Sequence, residues 1–392
     1  MNRAELISQF YGIFGTEGGE ARVFCAPGRI NLIGDQTDRN GGHVFSCALD
    51  LKIYAAVRKS RERRIRMQSR SMNDGVREIS LDEELTYRAS DGWLNYVKGV
   101  LWALSWHGHV IQDGGLDIFF ESTLPAGAGL ASSAALEVLM AAILREMYGF
   151  ECHDDVDLAL AGYSAETEFI GQSCGFLDQF TCAMGKKDHA LFINIGKERC
   201  EYVPLKLGDT RIVITDSGVR NPVRQSVFKE RAEETGKILR KLQYLVNIRQ
   251  VCDLSLDRFE SVKDVLMNDV LVRRARYLIS EDMRTIQAVS AMRVGNLNRF
   301  GEIMKRSHIS LRDDYEIVCP ELDFLAVRAW QEEGVIGSRM TGGGYDGCTV
   351  SLVKGANIDS FCENLGRAYR EKFGELPVFY VPQTADGVRE LL

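Results

Sequence analysis

The sequence predicts two α+β domains, and three observations carry that reading. At 392 residues the chain is longer than one ordinary core. Strand-like segments occur early, in the middle and late, with helical patterns between them. A run of small residues, Leu124-Pro125-Ala126-Gly127-Ala128-Gly129-Leu130-Ala131-Ser132-Ser133, joins an apolar strand pattern to a long helical one.

Taken in order, Phe24 to Ala26 and Val44 to Val57 read as strands flanking a glycine-rich polar segment. Trp93 to Trp106 reads as an amphipathic helix, Leu116 to Phe120 as a strand and Ala134 to Tyr148 as a helix. Val156 to Ile170 is a further helix, with Leu158, Leu160, Ala161 and Ala165 on its apolar stripe. Ala190 to Ile195 and Arg211 to Thr215 read as strands, and Lys229 to Val246 as a charged amphipathic helix. Leu266 to Ser310 is helical throughout, and Thr349 to Val353 and Pro377 to Val381 read as closing strands. The domain boundary is expected between residues 180 and 210.

Composition excludes several classes. A net charge of −7 argues against a general nucleic-acid binder. No apolar stretch reaches membrane-spanning length, and Met1 to Glu5 opens no secretory signal, so a cytoplasmic protein with no membrane partner is expected. The ten cysteines are scattered without a Cys-x-x-Cys pair, which fits reduced thiols rather than disulfides or a zinc site.

The small-residue run lets the backbone close around an anion, with exposed N–H groups and the positive end of a helix dipole. It is not a Walker A loop, because no Gly-Lys-Ser/Thr follows the glycines. It is not a dinucleotide fingerprint either: Ser132 stands in place of the third glycine, and the run lies too far into the chain. Ser132 and Ser133 add hydroxyls that can cap the helix, touch phosphate or ligate Mg²⁺.

Three further segments stand out for their polar groups or glycines. Ala26 to Gly42 places Asp35, Gln36, Asp38 and Asn40 between two strands, which suits a ring of hydroxyls or a plain polar hairpin. Glu166 to Phe180 sets Asp178 among Phe176, Leu177 and Phe180, with Arg29 as a candidate partner. Gly337 to Cys348 carries three successive glycines ahead of a strand, which permits close approach to a ligand or makes a flexible hairpin.

In this order and spacing the segments resemble the three motifs of the galacto-, homoserine, mevalonate and phosphomevalonate (GHMP) kinases, and within them the galactokinases. Trp93 to Val100, Ser307 to Tyr315 and Cys319 to Asp323 extend the likeness over nearly the whole chain. The resemblance implies a two-domain α+β fold, residues 1–180 and 181–392, with the active site in the cleft and the last strand free to return to the first domain. It implies an ATP- and Mg²⁺-dependent kinase that phosphorylates the anomeric hydroxyl of a small sugar; the sequence does not reveal the oligomeric state, for which a monomer is favoured.

The resemblance also implies roles. Pro125, Gly127, Ala128, Gly129, Leu130, Ser132 and Ser133 would cradle the phosphates of ATP, and Trp93 and Tyr96 would border the adenine. Ser133 and Glu166 would hold Mg²⁺. Asp178 would sit beside the anomeric hydroxyl and accept its proton, and Arg29 would neutralise the transferring phosphoryl group. Asp35, Gln36, Asp38, Gly175, Phe228 and Gly343 would line the sugar site.

Departures cluster at the sugar. The galactokinase pattern Gly-Glu-His-Thr-Asp-Tyr stands here as Gly34-Asp35-Gln36-Thr37-Asp38-Arg39. A sugar-contacting tyrosine aligns with Phe228, and a glycine of the third motif with Asp346. The acceptor therefore has alternatives to galactose: N-acetylgalactosamine, arabinose or a uronic acid, the last paired by Arg39. A non-catalytic galactose and ATP sensor is the remaining alternative, and Ser133-Ala134-Ala135 together with Asp178 argues against it.

Overall fold

The computed structural model describes residues 2–391 other than 153, 173, 198, 221–223 and 345–346. Two β-sheets and the helices on them share one architecture. The first sheet is eight-stranded. It contains β1 (Arg22–Ile33), β2 (His43–Ser60), β3 (Arg64–Ser69), β4 (Arg77–Ser80), β5 (Gly115–Ser122), β6 (His189–Asn194), β7 (Arg199–Pro204) and a final short strand, β12 (Arg389–Glu390). The second contains β8 (Thr210–Asp216), β9 (Val335–Thr341), β10 (Cys348–Lys354) and β11 (Val378–Tyr380), in the order β11-β8-β10-β9. The helices are α1 (Arg3–Phe14), α2 (Leu94–Ser105), α3 (Ser132–Tyr148), α4 (Asp155–Ser164), α5 (Leu177–Met184), α6 (Arg224–Leu242), α7 (Leu256–Val262), α8 (Asp269–Arg293), α9 (Leu297–Ser310), α10 (Pro320–Ala329) and α11 (Ile358–Phe373).

The long strand β2 organises the first sheet. It pairs with β1 along most of its length, with β6 at His43 to Ser46, and with β5 from Ile53 to Ser60. Strand alternation sends its side chains to two faces. Ala55 and Val57 join the main core with Ile118 and Phe120 of β5, whereas Ala56 and Phe119 pack on the other face against Leu6 and Phe10 of α1. Helices α2 to α5 cover the main-core face. Helix α3 is buried on nearly every side, from Ala134 to Leu144, which suits its Ala- and Leu-rich sequence.

That core continues into the second sheet through Ile212, Ile214, Val350 and Leu352, and through Ala288, Met292, Phe300 and Met304 of α8 and α9. The opposite face of the second sheet packs Val213 and Val353 against Leu325, Ala329, Phe361, Leu365 and Tyr369 of α10 and α11.

Strands β6 and β7 lie beyond residue 180 yet hydrogen-bond into the first sheet, and β12 pairs with β1 at Phe24 and Cys25. By strand pairing the first sheet therefore runs to Pro204 and regains the chain at its end. The helical run Leu266 to Ser310 breaks at Val294-Gly295-Asn296, where Gly295 takes φ 73° and the Asn296 side chain caps α9. Leu160 is 47% exposed rather than on the buried stripe, because α4 turns Leu158, Ala159 and Ala161 inward instead.

Candidate active site

The polar segment after Ala26 is strand before it is loop. Strand β1 continues to Ile33, so Arg29 and Asn31 are strand residues, with a register shift against β2 between Pro27 and Arg29. The loop proper begins at Gly34 and closes through the 3₁₀ turn Asp38–Asn40, then Gly41 at φ 75°. It is the polar hairpin between β1 and β2, and it also faces a cavity of about 1750 Å³.

Helix α5 opens with Leu177, which places Asp178 in its first turn, where the helix dipole favours a carboxylate. Arg29 reaches it with two bonds: Nε donates to Oδ1 at 2.8 Å and Nη2 to Oδ2 at 2.6 Å. The third guanidinium nitrogen, Nη1, donates to the Gly129 carbonyl at 2.6 Å. The fork geometry fixes both partners at once. Burial opposes the charge on Arg29, but Asp178 and then Asp35 outweigh it and hold the guanidinium above its ordinary range.

The phosphate loop packs on β1. The Arg29 backbone N–H donates to the Leu130 carbonyl at 3.1 Å. Gly127 and Gly129 take positive φ of 71° and 75°, and Ala131 takes 62° just ahead of α3. Pro125, Gly127, Gly129, Ser132 and Ser133 line the cavity. Ala128 and Leu130 do not: the alternating turns send both side chains into the core, and their carbonyls are taken by Cys348 Sγ and the Arg29 N–H.

Helix α4 widens into a π-helical turn, Ala165–Phe169, and this turn carries Glu166 to the cavity. Ser133 Oγ donates to Glu166 Oε1 at 3.3 Å. One buried amide, Gln179 Nε2, donates both to Glu166 Oε2 at 2.7 Å and to Glu137 Oε2 at 2.9 Å. Glu137 Oε1 is buried without a hydrogen-bond partner. Burial and then Asp178 push the Glu166 carboxyl up, and burial and then Glu166 push Glu137 well up. Excess buried negative charge with hard oxygen donors fits Mg²⁺, which takes one or two carboxylates and completes its shell with phosphates and water. Among the described residues no three His, Cys, Asp or Glu side chains cluster as a self-sufficient metal cage.

Asp35, Gln36, Asp38, Gly175, Phe228 and Gly343 all line the cavity. A Cβ on Gly175 would overlap Asp38 Oδ2, so any other residue there would displace that carboxylate. Burial pushes Asp38 up to about 6; Arg39 opposes the shift, and Asp178 and Asp35 add to it. Trp93 and Tyr96 line the same cavity, as do Ser69, Ser71 and Met72. Trp93 Nε1 donates to Asp74 Oδ2 at 3.0 Å.

The glycine loop between β9 and β10 meets both other loops. The Gly342 N–H donates to Asp35 Oδ1 at 3.1 Å, and Thr341 Oγ1 to the Asn31 carbonyl at 2.7 Å. Cys348 Sγ donates to the Ala128 carbonyl at 2.9 Å. Asp346 lies outside the described residues.

The sequence reading missed the residues that hold the sugar loop in place. Arg339, fully buried, sets Nη2 2.5 Å from Asp35 Oδ2. Burial pushes Asp35 up, and Arg339 works against that shift. From α8, Glu281 accepts from the Gly34 N–H at 3.2 Å, Asp282 from the His43 N–H at 2.5 Å, and Tyr277 Oη donates to the Asp35 carbonyl at 2.9 Å. Charged side chains on an otherwise core-facing helix stripe were the available signal.

A small-residue loop at a helix start, a carboxylate clamped by arginine and a second glycine loop meeting the loops at Asp35 and Ala128 form the arrangement that the likeness to the GHMP kinases implies. The family described as GHMP kinases N terminal domain matches residues 95–186, and GHMP kinases C terminal matches 288–371. The galactokinase galactose-binding signature matches residues 8–59. A galactokinase of Ligilactobacillus salivarius is 40% identical over 392 residues, covering 100% of both chains. A galactokinase of Bacillus subtilis is 40% identical over 390 residues, covering 99% of both. The crystal structure of Lactococcus lactis galactokinase complexed with galactose superposes with a TM-score of 0.95 at 35% identity, covering 99% of both chains. A mevalonate kinase shares the fold at a TM-score of 0.68 and 18% identity, covering 93% of this chain and 99% of that one. The chain belongs to the galactokinase family.

Proposed function

We propose that this chain transfers the γ-phosphoryl group of ATP to the anomeric hydroxyl of galactose, giving α-galactose 1-phosphate. The observation that carries the reading is the bidentate Arg29–Asp178 pair, tied through Gly129 to the phosphate loop. It puts a hydroxyl-binding carboxylate and a phosphate cradle on one rigid frame.

Phosphoryl transfer asks for in-line positioning and charge neutralisation more than for covalent help. Arg29 fixes the Asp178 carboxylate, whose remaining lone pairs accept from the sugar hydroxyl. A carboxylate is a weak base toward a sugar hydroxyl, so the proton leaves late, as the new O–P bond forms. Backbone N–H groups of the phosphate loop and the α3 N-terminus receive the phosphate oxygens. Ser133 and Glu166 would hold Mg²⁺, which would supply neutralisation of the phosphate charge. Trp93 and Tyr96 wall the adenine, and Asp35, Gln36, Asp38, Gly175, Phe228 and Gly343 surround the sugar.

Incubation with Mg·ATP and galactose, followed by phosphorus and proton NMR of the product, tests this. An α-anomeric 1-phosphate is expected. A phosphate on another carbon, or ATP hydrolysis without sugar phosphate, contradicts the reading.

A further inference from the structure

Two of the departures from the galactokinase pattern, Arg39 and Phe228, are 189 positions apart in the chain. The fold brings them together. The Arg39 guanidinium carbon lies 5.2 Å from the centroid of the Phe228 ring, within the range of a cation–π contact. Both line the cavity beside Asp38 and Gly175. Arg39 sits in the 3₁₀ turn after β1, and Phe228 near the start of α6. The contact therefore joins the loop of the first sheet to a helix of the second half.

The chemistry of the two side chains is complementary. A phenylalanine ring keeps the face quadrupole of tyrosine and loses its hydroxyl. A guanidinium has five N–H donors in a plane, and a ring under that plane limits its orientations. Asp38 and Asp178 line the same cavity, and their negative charge draws a cation toward it.

We propose that Arg39 and Phe228 act as one acceptor-recognition unit. The ring presents an apolar face to the sugar and holds the guanidinium, whose N–H groups donate to sugar oxygens in place of a phenolic hydroxyl. This assignment rests on the sugar-kinase reading of the cavity. It gives Arg39 a role that does not require an acidic sugar.

The test is a double-mutant cycle read on the KM for galactose and the KM for ATP, with galactose-dependent thermal shift as a second readout that needs no turnover. Arg39→Ala and Phe228→Ala are each expected to raise the galactose KM by about tenfold, with the ATP KM within about twofold. The double variant should be no worse than the weaker single, because each removes the same unit. Arg39→Lys should behave like Arg39→Ala, since an ammonium lacks the planar fork; Phe228→Tyr should keep wild-type affinity. Multiplicative effects in the double variant, or full rescue by Arg39→Lys, overturn the unit. Wild-type protein that neither turns over galactose nor is stabilised by it overturns the sugar reading itself, and the unit with it.

Discussion

Asp178 keeps its place because Arg29 grips both of its oxygens, and this decides what replacing it does. Asp178→Asn preserves shape but cannot accept the sugar proton. We expect turnover to fall by about 10²–10⁴-fold with galactose binding largely kept; equilibrium binding beside steady-state kinetics separates the two. Asp38 makes a second prediction. Its carboxyl is pushed up to about 6, whereas the unfolded chain carries an ordinary carboxylate. The folded state therefore binds more protons between the two values, and stability falls as pH rises toward about 6 and stays at that lower level above it. Asp38→Asn removes this cost, so its thermal midpoint at pH 7 should rise while its galactose KM worsens. In the wild type the galactose KM should rise as pH falls through about 6, because an acceptor carboxylate becomes a carboxylic acid. An unchanged thermal midpoint in Asp38→Asn would contradict the burial argument. At this scale the site was largely legible. Arg29 and Asp178 stood out as a basic residue in a polar segment and an acid in apolar company. That the Ala128 and Leu130 side chains turn into the core was not legible, because a residue pattern does not say which loop side chains do so.

Element boundaries place the remaining chemistry. The π-helical turn at Ala165–Phe169 interrupts α4 and swings Glu166 toward Ser133. Periodicity could not reveal it, since a single wide turn barely disturbs an apolar stripe. Glu166→Gln should raise the Mg²⁺ concentration required for half-maximal activity by about tenfold or more, while the galactose KM changes little. A proportional rise in the galactose KM would mean that the turn supports the fold rather than the cation. Gly175 is tested the same way. A Cβ there would overlap the Asp38 carboxylate, so Gly175→Ala should damage galactose binding more than ATP binding. Strands β3, β4 and β7 escaped the sequence reading for a different reason. They are short and carry charged residues such as Arg64, Arg66, Glu78 and Glu201, so the alternation that marks a half-buried strand is weak.

At the scale of the whole molecule, the loop between β1 and β2 is anchored by buried polar side chains of β9 and α8, distant in sequence. Asp35 faces Arg339, Gly34 faces Glu281, and His43 faces Asp282. None of these pairings is local, so sequence order alone could not announce them; the glycine loops were visible, the struts behind them were not. Arg339→Ala leaves Asp35 buried without its guanidinium, whereas Glu281 keeps Arg284. The expected cost is about 3–5 kcal/mol, read as a lower denaturant midpoint, and it should be accompanied by weaker galactose binding because Asp35 loses its anchor. Unchanged stability would mean that Arg339 is dispensable to the loop.

The most direct measurement is galactose-dependent ADP release with Mg·ATP, wild type beside Asp178→Asn. The account predicts robust release that requires galactose and nearly vanishes in the variant while galactose still binds. Galactose-independent release, or a variant with near-full turnover, would contradict it.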